Sequence, residues 1–257
     1  MELSLRVLSG AGNRFALLEA SAAPDADLAD LARLVCDPGT GPGVDGLIRY
    51  GLEDEGQLRF ELWNADGSRA EVSGNGLRCC ARAALDAGLV SAPAFTIRSG
   101  AGLHPVRIDA AGIWTGMGEV TREGSVVLPD GSAGELATIG NPHLVLLRDR
   151  LVGDEAQLEG AALQSVREGG INVEFIAKTG EDAIDLVVFE RGVGPTQACG
   201  TGSCVSAEVA VGLGLVAFPV AVRNPGGTLV VDRGEDGGLV LGGPVEDHGV
   251  AKVVWPA

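Results

Sequence analysis

Residues Glu190 to Val216 read ERGVGPTQACGTGSCVSAEVAVGLGLV. An apolar run, Leu186 to Phe189, leads into the charged pair Glu190-Arg191. A glycine-rich loop then presents Cys199 and passes into a helix of small apolar residues. Gly200 and Gly202 let the backbone bend closely under the cysteine. A helix that begins near Thr201 points its unsatisfied N–H groups back at the loop. That favours an anion there, whether a thiolate or a bound carboxylate. The expectation for Cys199 is a thiol pKa below its ordinary value of about 8.5. A cysteine between glycines at a helix start is poorly placed to fill a core. Cys36, Cys79, Cys80 and Cys204 lie inside helical patterns and read as packing residues.

The arrangement occurs twice. Ser73-Gly74-Asn75-Gly76-Leu77 aligns with Cys199-Gly200-Thr201-Gly202-Ser203, and Gly88-Leu89-Val90 falls opposite Gly214-Leu215-Val216 at the same offset. The period is too long for a solenoid unit. It implies two similar halves facing each other across a cleft, residues 1–117 and 118–248, with strand 249–257 crossing back to complete the first. Many short strands with one long helix per half predict an α+β fold. Each half is then a curled, mostly antiparallel sheet around a central helix.

A chain of 257 residues with 46% hydrophobic content supports two such cores. No apolar run is long enough for a membrane span. The opening MELSLRVL lacks a basic region followed by an apolar core and cleavage site, so a cytoplasmic protein is expected. Five cysteines without regular spacing do not make a disulfide framework. With no CxxC and three scattered histidines, no metal site is expected. A net charge of −16 argues against nucleic acid and anionic membranes as partners.

Strands are expected at Leu3–Leu8, Phe15–Leu18, Gly46–Tyr50 and Leu58–Trp63, the last two separated by the acidic turn at 53–55. Asp27 to Cys36 reads as a short amphipathic helix. Gly76 to Ala87 forms the first small-residue helix, followed by strands near 95–98, 106–108 and 113–120. In the second half, Val126–Leu128 leads into a polar connection. Beyond it come strand Leu144–Leu147, helix Leu158–Val166, and strands Ile171–Phe175 and Asp185–Phe189. Val220–Arg223 and Thr228–Asp232 read as a hairpin around Asn224-Pro225-Gly226-Gly227.

Two reactive-looking residues at matched helix starts suggest proton transfer on both faces of one carbon, with one base removing a proton and an acid supplying another. Converging helix dipoles would hold an α-carboxylate and stabilise charge in the transition state. Glu190 and Arg191 are placed to bind amino and carboxylate groups.

Six motifs run through the chain in order: GAGN (10–13), NADGS (64–68), SGNGLRC (73–79), GNPH (140–143), INVEF (171–175) and ERGVGPTQACGTGS (190–203). In these the chain resembles the diaminopimelate epimerases, over its whole length. The resemblance implies interconversion of LL- and meso-diaminopimelate without a cofactor, by two cysteines, in a protein that is commonly a homodimer. It makes Cys199 one of the catalytic cysteines and His143 a residue beside the catalytic pair. The Gly200-Thr201 and Gly74-Asn75 backbones correspond to the groups holding the α-carboxylate. Glu190 corresponds to the residue binding the reacting amino group, and Arg191 to one at the substrate's distal end. Asn13, Asn64, Asn141 and Asn172 correspond to further substrate contacts.

Two departures stand out. Ser73 replaces the family's other cysteine, and a hydroxyl is far harder to ionise than a thiol. Pro195 replaces the glutamate usual in ERGxGET. Ser73 is open to three readings: a disabled variant, a natural branch that still epimerises, or one-base chemistry such as α-proton abstraction with loss of a β-hydroxyl. Survival of the distal contacts disfavours the third. A non-catalytic amino-acid-binding homologue is the reading from another class, and the retained Cys199 argues against it.

Overall fold

The computed structural model describes residues 2–23, 27–53, 56–91 and 93–255, with 153–155 described by backbone alone. The second and third residues of the expected acidic turn, 54 and 55, lie outside this set. So do the last two positions, 256 and 257, of the expected final strand. The fold is α+β, with mixed β-sheet structure and four α-helices among the described residues. The chain divides into two compact units, residues 1–115 with 243–257, and residues 116–242.

The first unit opens with the hairpin β1 (Glu2–Gly10) and β2 (Asn13–Glu19), joined through Ala11 and Gly12. Both loop residues have positive φ, 48° and 86°, the twist that matches a two-residue hairpin to its strands. Helix α1 (Leu28–Cys36) crosses over to β3 (Gly46–Leu52), which lies parallel to β2. Asp27 caps α1 by accepting from the Ala29 and Asp30 N–H groups. β4 (Leu58–Asn64) returns antiparallel, with the short β5 (Arg69–Ala70) beside it. Helix α2 (Gly74–Asp86) then crosses to β6 (Ala94–Ser99), parallel to β4, and β7 (Gly102–Asp109) and β8 (Gly112–Gly118) follow antiparallel. The far-off strand β18 (Glu246–Val254) pairs with β1.

Alternation along the strands decides which helix each residue meets. Phe15 and Leu17, Ile48 and Tyr50, and Phe60 and Leu62 join the core that contains Leu77, Cys80 and Ala84 of α2. Their neighbours Ala16, Leu18, Leu47 and Trp63 pack with Leu31 and Val35 of α1. Side chains alternate across a strand, and both faces of this sheet are covered. The strands are therefore apolar nearly throughout, the pattern expected where helical crossovers bury a sheet on both sides.

The second unit repeats this order of elements. β9 (Thr121–Val127) pairs with β10 (Ala133–Thr138), and β10 with β11 (Pro142–Leu147). Helix α3 (Gly153–Leu163) crosses to β12 (Asn172–Gly180), parallel to β11. β13 (Ala183–Glu190) is antiparallel to β12, with the short β14 (Gly194–Thr196) beside it. Helix α4 (Gly200–Gly212) crosses to β15 (Val220–Asn224), parallel to β13, followed by β16 (Gly227–Arg233) and β17 (Leu239–Gly243). Strand β10 corrects the sequence reading, which takes this stretch as a polar connection. Gly134 is there for packing: a Cβ on it would lie 2.6 Å from Leu144 Cδ1.

Candidate active site

Helices α2 and α4 begin alike. Ser73 is the residue before α2, in extended conformation, and its Oγ accepts from the Gly76 N–H at 3.1 Å. Cys199 holds the same position before α4, and its Sγ accepts from the Gly202 N–H at 3.3 Å. Serine is a favoured capping residue. Cysteine is not, so helix capping accounts for Ser73 but gives no reason for a thiol at 199.

In the first unit, the hairpin and the α2 start meet. Asn75 Nδ2 donates to Asn13 Oδ1 at 2.6 Å, and Arg78 donates to Asn75 Oδ1 at 2.6 Å and to the Gly74 carbonyl at 3.1 Å. Gly10 lies so close beneath the helix start that a Cβ would sit 3.2 Å from the Asn75 carbonyl oxygen. Arg78 is fully buried and orders Asn75, and through it Asn13; the sequence reading leaves it unassigned. Asn64 is exposed and donates to Ser68 within its own turn.

In the second unit, strand alternation brings the polar groups under α4. Leu144, Val173 and Phe175 face the α3 core, so His143 and Glu174 point to the opposite face, and both are fully buried. His143 Nδ1 lies 2.7 Å from Glu174 Oε1, and its Nε2 lies 2.9 Å from Asn141 Oδ1. Asn141 Nδ2 donates to Thr201 Oγ1 at 3.4 Å, and Thr201 Oγ1 is 3.4 Å from Cys199 Sγ. Asn172 joins two segments: it donates to the Pro142 carbonyl and accepts from the Arg191 N–H. The Thr196 hydroxyl donates to Glu190 Oε1. Pro195 sits opposite Phe189 in the β13–β14 pairing.

The electrostatics correct one expectation. The Cys199 thiol is held well above its ordinary pKa, first by burial, then by the Glu190 and Glu174 carboxylates. The donors from Thr201 and Gly202 oppose this without overcoming it. A helix N-terminus contributes a fraction of a charge, which is less than the loss of water around the sulfur. Burial also raises Glu190, helped by Glu174 and opposed by Thr196 and His143. Cys199 therefore rests as a neutral thiol in the unliganded protein. A cation placed against Glu190 would cancel part of the field that keeps it so.

Glu174 is the residue the sequence reading passes over. The available signal is a glutamate inside a crossover strand, INVEF, whose two faces both face helices. The fit is close: a Cβ on Gly202 would lie 2.7 Å from Glu174 Oε1 and 3.3 Å from Cys199 Sγ. Gly202→Ala is expected to destabilise the protein by about 1–3 kcal/mol through overpacking, measured as a lower denaturant midpoint with an unchanged slope.

The diaminopimelate epimerase family model matches residues 6–123 and 136–247. The chain belongs to the diaminopimelate epimerase family. It is 34% identical over 263 residues to the diaminopimelate epimerase of Desulfitobacterium hafniense, covering 92% of this chain and 93% of that one. The Erythrobacter litoralis diaminopimelate epimerase is 32% identical, covering 99% and 98%. Among solved structures, a Bacillus anthracis phenazine biosynthesis protein of the PhzF family superposes with a TM-score of 0.77 at 13% identity, covering 99% and 100%. A hydroxyproline epimerase from Agrobacterium vitis gives 0.71 at 14%, covering 98% and 91%. These two share the fold. No helix among the described residues is long and apolar enough to cross a membrane.

Proposed function

We propose that the protein epimerises LL-diaminopimelate to meso-diaminopimelate by proton transfer at the α-carbon, without a cofactor, in the cytoplasmic synthesis of lysine and cell-wall precursors. The observation that carries this reading is Cys199 at the α4 start, in the family's own motif, with the Gly202 N–H donating to its sulfur and the Thr201 hydroxyl beside it. Cys199 is one proton-transfer group, and Ser73 occupies the position of the other. The backbones of Gly200-Thr201 and Gly74-Asn75 take the α-carboxylate, whose charge grows as the α-proton leaves. Glu190 takes the α-ammonium group. That contact supplies the cation that lowers the Cys199 thiol, so the base forms when substrate binds. Arg191 addresses the substrate's distal amino-acid end, Asn13, Asn64 and Asn141 are further substrate contacts, several of them at that end, and Asn172 acts by holding the Arg191 backbone. In this reading the units are pseudo-symmetric halves whose sheets curl about α2 and α4, and the protein is a homodimer.

The hydroxyl at position 73 favours a second reading, in which Cys199 alone exchanges the α-proton and inversion does not follow. Incubation with LL-diaminopimelate and chiral separation of the products distinguishes the two. Accumulation of the meso isomer to a near-statistical ratio is expected. A sample that stays LL while losing its α-proton to solvent supports the one-base reading, and one that does neither rejects both.

A further inference from the structure

The contacts that end on Cys199 have a direction. Asn141 donates through its nitrogen to Thr201, so its oxygen is the acceptor for His143, and Nε2 of that ring carries a proton. The 2.7 Å contact between Nδ1 and Glu174 Oε1 also needs a proton, on one atom or the other. Without it, two lone pairs would face each other. A shared proton therefore joins His143 and Glu174 at this contact. Thr201 Oγ1 accepts from Asn141, which leaves its own hydrogen for the sulfur 3.4 Å away. Every donor in the chain then aims toward Cys199.

Glu174 is kept at a cost. It is 0% exposed, and its Oε2 has no hydrogen-bond partner among the described residues. An apolar residue would continue the pattern of β12 and avoid that penalty. We infer that Glu174 is a positioning residue for Cys199: by sharing a proton with His143 it fixes the direction of a relay through Asn141 and Thr201 that delivers a hydrogen-bond donor to the sulfur as the thiol ionises. This rests on the preceding reading only in taking Cys199 as the ionising thiol; the substrate does not enter. Glu190, the other charged group acting on the sulfur, is unchanged in every comparison below.

Alkylation of Cys199 by iodoacetamide, followed by mass spectrometry of its peptide at about pH 9, reports the thiolate fraction without substrate. Glu174→Leu frees the His143 ring and the Asn141 amide to reverse, and is expected to slow alkylation about tenfold, the loss of one hydrogen bond to an anion. Thr201→Val should slow it by a similar factor, and the double variant should be no slower than either single one. Glu174→Gln can still donate to Nδ1 and keep the proton on Nε2, so its rate should stay within about threefold of the parent.

The Glu174 charge itself raises the Cys199 thiol, so the relay must outweigh it: if both Glu174 variants alkylate faster, the charge dominates and the inference is overturned. It is also overturned if the Leu and Val effects multiply in the double variant. Should thermal melts show that Glu174→Leu fails to fold, Glu174→Gln with Thr201→Val decides: a faster Gln variant, or a Val variant as fast as the parent, rejects the relay. A parent protein that follows the expected pattern yet leaves diaminopimelate unchanged upholds the relay and rejects the substrate assignment.

Discussion

Cys199→Ala is expected to lower turnover of diaminopimelate at least about a thousandfold, within the range for losing a positioned acid–base group, while the protein stays folded. The geometry explains why the loss should be specific. The Cys199 sulfur receives the Gly202 N–H and faces the Thr201 hydroxyl at the very start of α4. Cys204 is fully buried within α4. Burial and the nearby carboxylates hold the Cys199 thiol up, which sets the sign of the pH dependence. Below that raised pKa the thiolate fraction grows about tenfold per pH unit, so proton abstraction by Cys199 should accelerate as pH rises through the neutral range. Saturating substrate should move the rise to lower pH, because the α-ammonium group offsets Glu190. A profile that is flat with pH, or a Cys199→Ala protein with parental turnover, would remove this thiol from the chemistry.

Ser73→Cys is expected to raise epimerisation about a hundredfold, since it replaces a hydroxyl that barely ionises with a thiol whose pKa is several units lower. The substitution has a structural cost. Ser73 Oγ caps α2 through the Gly76 N–H, and a weaker cap lowers stability by up to about 1 kcal/mol. Activity and stability should therefore move in opposite directions, read by turnover and by the thermal midpoint of the same preparation. Turnover equal to that of the parent would mean that Ser73 already serves as the second proton-transfer group, or that proton transfer at that face is not limiting.

Much of this site could be read in the sequence because local chemistry fixes it. A small residue followed by Gly-x-Gly marks both helix starts, and α2 and α4 begin directly after Ser73 and Cys199. The strands at 15–18, 46–50 and 58–63 follow from their apolar runs. Strand β10 escaped because Gly134 looks like a turn residue, whereas it is glycine so that Leu144 and Leu146 can pack against it. Arg78 and Glu174 escaped for a related reason. A charged residue at a helix or strand position reads as solvent-facing until the elements covering both faces are known. The thiol pKa of Cys199 was misjudged because the helix terminus is visible in sequence, while burial and the two carboxylates brought near by tertiary structure are not.

The measurement that tests the central claim most directly is the early time course of LL-diaminopimelate in deuterium oxide, with α-deuterium followed separately in the LL and meso pools. Two proton-transfer groups acting on one α-carbon predict deuterium in the meso product while unreacted LL substrate stays protiated. Deuterium that accumulates in the LL pool with no meso product would contradict that account and leave Cys199 acting alone.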